Sequence, residues 1–169
     1  MAAILAIFKP IANKRQNSAI DRQAGLTLIE IMIVVAILAV TASIAIPLYN
    51  GFVSEARIGK AVLDMRSIEL LVMDFADNQG RHPADLDEVG AGDMLDPWGR
   101  PYRYLNIADG VGPPGKRRKD KFLVPVNSDF DLYSLGEDGV SSPPFTSSRS
   151  HDDIVRANNG AFFGLAKDY

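Results

Sequence analysis

The chain has 169 residues, is 47% hydrophobic, contains no cysteine and carries a formal net charge of −3. Lys9, Lys14, Arg15 and Arg22 against Asp21 make the part before Gly25 basic, so everything after it is acidic. This excludes a disulfide-held scaffold, argues against a nucleic-acid-binding domain, and leaves material for one soluble domain, held by its core, by a bound metal or by assembly with neighbours.

Residues 1–24 hold a short apolar patch, AAILAIF, followed by polar and basic residues. In an ordinary signal peptide the small-residue cleavage site follows the apolar core. Here Ala24 and Gly25 precede it, so a cut there removes a basic leader and keeps the long apolar segment. The expected organisation is a cleaved leader over 1–25, a membrane and assembly helix over 26–53, and a globular domain over 54–169 that includes the second part of the helix. Basic residues ahead of an apolar segment stay cytoplasmic, which places the acidic C-terminal part on the exported side.

From Gly25 to Leu48 the only charge is Glu30. About twenty apolar residues in helical form match the hydrocarbon thickness of a bilayer. A carboxylate inside such a span costs roughly 2.5–3.5 kcal/mol on insertion scales, so Glu30 needs a cation. The apolar run contains none; the positive group must come from processing of the chain or from another molecule.

Beyond Pro47 the pattern becomes amphipathic, with Ile58, Val62, Met65, Ile68, Val72 and Phe75 at helical spacing. The helix is expected to run to the stop signal Asn78-Gln79-Gly80, with a kink or local melting at Pro47. A helical turn or two is predicted over 83–89, then short strands at 100–105, 121–124 and 131–135 forming an antiparallel meander over the amphipathic face. The fold class is therefore α+β, a long N-terminal helix with a protruding apolar half, packed on a small antiparallel sheet. Residues 108–120, with PPGKRRKD, and 136–150, with GVSSPPFTSSRS, read as loops, and the basic run 116–119 as solvated. The tail around Asn158-Asn159-Gly160 is expected to add an edge strand or to pack as an extended segment. Trp98 and the tyrosines are expected in the core or facing the strands.

Gly25-Leu26-Thr27-Leu28-Ile29-Glu30, the apolar run and Pro47 together resemble the prepilin signal of the type IV pilin superfamily. Two later blocks, Asp96-Pro97-Trp98-Gly99-Arg100-Pro101-Tyr102-Arg103-Tyr104 and Phe130 through Gly139, are similar to those of the major pseudopilin of type II secretion systems. The resemblance implies that a prepilin peptidase cuts between Gly25 and Leu26 and methylates the new amine of Leu26. That amine, on an adjacent subunit, would be the partner of Glu30, and Pro47 would be the point where the helix loosens on assembly. It further implies a homopolymer with minor pseudopilins, a periplasmic pseudopilus that an inner-membrane platform protein and an assembly ATPase drive, and storage in the inner membrane before assembly. Finally it implies a calcium ion bound by the carbonyl of Leu135 and the carboxylates of Asp138 and Asp153, with Asp152 as the alternative carboxylate. Here the loop between these ligands is Pro- and Ser-rich, unlike the Gly-rich loop of the family, with Ser141 and Ser142 the main departure.

Catalysis is not expected: His82 and His151 lack ligand spacing, there is no cysteine nucleophile, and no glycine-rich phosphate loop follows a strand. Two alternatives stay open: a type IV pilus or competence-filament subunit, and a membrane-anchored periplasmic binding domain or enzyme that needs neither cleavage at Gly25 nor Glu30.

Overall fold

Helix α1 runs from Leu28 to Gln79 in the computed structural model, which describes residues 25–110 and 112–169. Apart from Gly25, the expected leader lies outside the described residues. The start of α1 is a reciprocal capping box. The Glu30 backbone N–H donates to Thr27 Oγ1 at 3.3 Å, while Glu30 Oε2 accepts from the Thr27 N–H at 2.8 Å and the Thr27 hydroxyl at 2.7 Å. The stop is Gly80, whose φ of 68° takes the chain into the left-handed region as its N–H bonds Ala76 O at 2.8 Å.

The chain divides into two units, one ending at Ser43 and one covering Ile44–Tyr169. In the described part of the first, every residue is exposed, apolar ones included. Its polar side chains turn inward on their own helix: Thr41 Oγ1 donates to Ile37 O at 2.8 Å and Ser43 Oγ to Val40 O at 2.7 Å. This hides hydroxyls that would otherwise be unpaired in an apolar solvent. α1 contains a stretch long and apolar enough to cross a membrane.

In the second unit α1 passes through Pro47 as regular helix, so the local melting expected there is absent from this structure. Ala61, Met65, Ile68 and Val72 are fully buried, with Ile58 and Val62 packed at their margin. Those positions recur at three and four residues, which puts them on one face. Against them lies a four-stranded antiparallel sheet of order β1-β2-β3-β4, with β1 Arg103–Asn106, β2 Phe130–Ser134, β3 Ile154–Ala157 and β4 Phe162–Leu165. Phe130, Leu132 and Ile154 meet the helix side chains in one core. The Tyr102 hydroxyl donates to Asp64 Oδ2 at 3.0 Å across this interface, and burial together with that carboxylate pushes its pKa up, which keeps it a donor.

The meander is as expected, but two of its strands differ. Residues 121–124 form an exposed turn, with Lys121 at φ 42° and the Asp120 N–H bonded to Leu123 O at 3.0 Å. The tail supplies β3 and β4 instead. Asn158, Asn159 and Gly160, all at positive φ, make the connection between them, a conformation that Asn and Gly tolerate. The predicted helical turns after Pro83 reduce to one short 3₁₀ helix, Asp87–Val89.

Because strand side chains alternate, β2 and β3 show a second face, and it too is covered. Val155 and Ala157 pack there with Val126, Phe145 and Ala166. The two loops expected to be irregular lie over this face, so β3 is buried along its whole length. The globular unit thus has helix, sheet and loop layers where two layers were expected.

Candidate functional site

Gly25 and Leu26 precede α1 in exposed, non-helical chain. An accessible, irregular backbone is what a peptidase needs, and Thr27 then opens the helix. The Glu30 carboxylate lies back over this helix start through its two bonds to Thr27, both made by Oε2. Thr27 and Glu30 therefore close the helix start one residue after Leu26, with an acid placed at the helix N-terminus, where the dipole favours it. Pro47 is exposed on α1.

The two sequence blocks meet at the end of the sheet. Asp96 is buried and ties its own turn, with Oδ1 accepting from the N–H groups of Trp98 at 3.0 Å and Arg100 at 2.9 Å. Its Oδ2 accepts from Ser134 Oγ of β2 at 2.6 Å. Arg100 then reaches the carbonyls of Gly136 and Glu137, the latter at 3.0 Å. Gly136, at φ 64°, lies so close to Asp152 O that a Cβ would collide with it.

This places Leu135, Asp138, Asp152 and Asp153 around one loop but does not make a calcium site of them. The Leu135 carbonyl accepts from the Gly139 N–H at 3.2 Å. Asp138, exposed, accepts from the Val140 N–H at 2.7 Å, and Asp152 Oδ2 accepts from the Asp138 N–H at 2.9 Å. Asp153 is completely buried, and its Oδ2 accepts from Arg118 Nη2 at 2.6 Å and from the Ser141 hydroxyl. Among the described residues no three acidic or histidine side chains are placed to share a metal. Calcium takes six to eight oxygens, and a guanidinium among them repels it. The residues present do not fit that ion.

Arg118 is a correction to the solvated basic loop: it is 2% exposed. Its guanidinium also donates to Ser141 Oγ at 2.6 Å and Ser142 O at 3.0 Å, and stacks on Tyr133 at 4.5 Å from the ring centroid. Its N–H donates to Asp131 Oδ2 at 2.7 Å, and Asp131 Oδ1 accepts from Asn127 Nδ2 at 2.9 Å. Burial pushes the carboxyls of Asp131 and Asp153 up. The Arg118 N–H and Asn127 oppose this at Asp131, and Ser141 and the Arg118 guanidinium oppose it at Asp153.

On the helix side, Arg156 of β3 is 1% exposed and was equally unforeseen. It bonds Glu69 of α1 through Nε at 2.7 Å, clasps both oxygens of Asp129 at 2.9 and 2.7 Å, and stacks on Phe130 at 4.0 Å. A long amphipathic stretch with charged residues off its apolar face gave Glu69 no special mark. The partner lies 87 positions away.

Residues 20–46 match the family model described as the prokaryotic N-terminal methylation motif. The chain is 34% identical over 139 residues to the type II secretion system core protein G of Pseudomonas aeruginosa, covering 70% of this chain and 86% of that one. It is 30% identical over 142 residues to the core protein G of Pectobacterium carotovorum, covering 70% and 79%. A fimbrial protein of Neisseria meningitidis serogroup A is 30% identical over 89 residues, 53% of this chain and 52% of that one, so the chain spans about half the length of that relative. No solved structure matches. With the capped apolar helix, the small antiparallel sheet and relatives of this coverage, the chain belongs to the type IV pilin superfamily, alongside the core protein G of type II secretion systems.

Proposed function

We propose that this chain is a major pseudopilin, a structural subunit that polymerises into a periplasmic pseudopilus and drives protein export by type II secretion. The observation that carries the reading is the similarity to core protein G, which extends through 70% of the chain and so well beyond the N-terminal motif. A prepilin peptidase cuts between Gly25 and Leu26, the new amine is methylated, and the apolar part of α1 holds the subunit in the inner membrane until assembly. The exposed apolar side chains of 26–43 are then the surface that changes lipid for neighbouring helices.

Glu30 links the two states. In the single subunit its Oε2 is occupied by Thr27, and Oε1 is the oxygen offered to the ammonium of Leu26 on an adjacent subunit. Pairing removes an ion from lipid, which favours the polymer. Pro47 is the position where α1 can loosen on assembly, since it lacks one backbone N–H. No step of this scheme is chemical catalysis by the chain. The minor pseudopilins, the platform protein and the assembly ATPase belong to the same scheme as partners.

A second reading, a subunit of a surface pilus, is favoured by the similarity to Neisseria pilins, one of which matches over 80% of this chain at 32% identity. Deletion in the native host separates the two: loss of secreted enzymes supports the pseudopilus, and loss of surface fibres with secretion intact supports the pilus. Intact mass of the membrane form tests processing, with a methylated Leu26 start expected. A retained leader overturns the scheme. Glu30→Leu is expected to be processed and inserted, with filament yield reduced by about tenfold or more. Unchanged yield overturns the neutralising role of Glu30.

A further inference from the structure

We propose that Arg118 is the built-in cation of the 135–153 loop, so that closure of this loop over the sheet requires no metal. The proposal is independent of which filament the subunit builds.

The oxygens around the guanidinium are those a hard cation would use: a carboxylate from Asp153, a hydroxyl from Ser141 and a backbone carbonyl from Ser142. All three belong to the loop and strand start where the family resemblance implies calcium. The cation comes from a different segment, 35 positions before Asp153 in the chain. It therefore does what a metal does in such a loop, fastening together chain segments that otherwise meet through the two backbone bonds of Lys119 with Pro143 and Phe145.

Its placement is specified on every side. The backbone N–H of Arg118 is held by Asp131, and its carbonyl accepts from the Val126 N–H at 3.0 Å. The guanidinium lies over the rings of Tyr133 and Phe145, at 4.5 and 5.1 Å. The planar fork of arginine suits this combination of carboxylate, hydroxyl, carbonyl and aromatic partners. Ser141 and Ser142, the residues that depart from a glycine-rich metal loop, are the ones that bind it.

Asp153 Oδ1 and Arg118 Nε are buried without a protein partner. They are an acceptor and a donor of the same ion pair. A single spare oxygen beside a fixed positive charge is far from the shell that calcium needs.

The test uses the full-length protein in detergent micelles, melted with millimolar calcium or with excess EGTA. Wild type is expected to melt at the same temperature in both, within about 1 °C. Arg118→Ala is expected to lower Tm by about 10 °C or more, because it leaves the buried Asp153 carboxylate without its counterion. With the guanidinium gone the same oxygens open to a hard cation, so calcium should recover part of this loss. Arg118→Lys, which keeps the charge without the fork, is expected to fall between and to ignore calcium. Should Arg118→Ala fail to fold, calcium titration of the wild type by calorimetry still decides the matter, with no binding heat expected. A wild-type Tm raised several degrees by calcium, or an Arg118→Ala protein as stable as wild type, overturns the proposal.

Discussion

The two faces of the sheet each bury one arginine, and the pair differs in what it fastens. Arg156 faces the helix and is shared by two carboxylates, Glu69 and Asp129, which remain 19% and 18% exposed. Arg118 faces the loops and has one fully buried carboxylate, Asp153, with neutral oxygens completing its set. The first ties α1 to β3 and to the turn before β2, joining regular elements that the apolar core already brings together. The second ties loops with little regular structure to the smaller apolar cluster of Val126, Phe145, Val155, Ala157 and Ala166. A buried ion pair is a poor source of net stability compared with a packed core, yet breaking one leaves an uncompensated charge. The arginines thus act mainly by specifying which segments meet, and the loop layer depends on its arginine more completely.

For the folded unit as a whole, the largest effect is nevertheless expected from removing the arginine with two carboxylates, because two charges lose their partner at once. Arg156→Met should destabilise the folded unit by about 3–5 kcal/mol, since Glu69 and Asp129 lose their common partner in a region closed by Phe130. Urea unfolding of the detergent-solubilised chain, followed by the fluorescence of Trp98, its single tryptophan, measures this. A loss below about 1 kcal/mol, the range of surface pairs, would show that the clamp on α1 is not needed.

The helix was legible in the sequence because its two signals are local. Thr27-Leu28-Ile29-Glu30 is a capping box readable within four residues, and the positions from Ile58 to Val72 repeat at helical spacing. Gly80 marks the end for an equally local reason. The strands were less legible. Lys121-Phe122-Leu123-Val124 has strand-like composition but bridges only back to Asp120 in its own turn, whereas Ile154–Ala157 is buried on both faces and so lacks the alternation that marks a half-exposed strand. The buried arginines were hidden for a third reason. In Lys116-Arg117-Arg118-Lys119 four adjacent basic residues look alike, and only the fold brings Asp153 to one of them. The candidate cleavage site was readable from its motif, but the cation at the loop was not.

Asp96 gives an intermediate case, since one local turn and one distant strand share it. Asp96→Ala removes the acceptor for two half-buried backbone N–H groups and for the buried Ser134 hydroxyl. Leaving such donors unsatisfied is expected to cost about 2–3 kcal/mol. The loss should be smaller than for Arg156→Met in the same urea experiment, because no ion is left without its partner. An equal or larger loss would move the main fastening of the fold from the β3 arginine to the joined sequence blocks.

The smallest expected effect is the most informative about the loop face. Lys116 lies two residues before Arg118 in the same basic run and is exposed. If the run acted through its summed charge, either residue would matter about equally. If a single guanidinium fixes the loop, Lys116→Ala should change stability by less than about 0.5 kcal/mol, as exposed substitutions generally do. Its side chain has no hydrogen bond or ion pair among the described residues, and only its backbone takes part in the turn, the N–H bonding Pro113 O at 3.0 Å. Alanine keeps that bond. Thermal melting of Lys116→Ala beside Arg118→Ala therefore compares two positive charges separated by one residue, one in water and one between Asp153 and two aromatic rings. A matched loss in both variants would return the run to a solvated charge patch. A loss confined to Arg118 would assign the loop closure to its buried guanidinium.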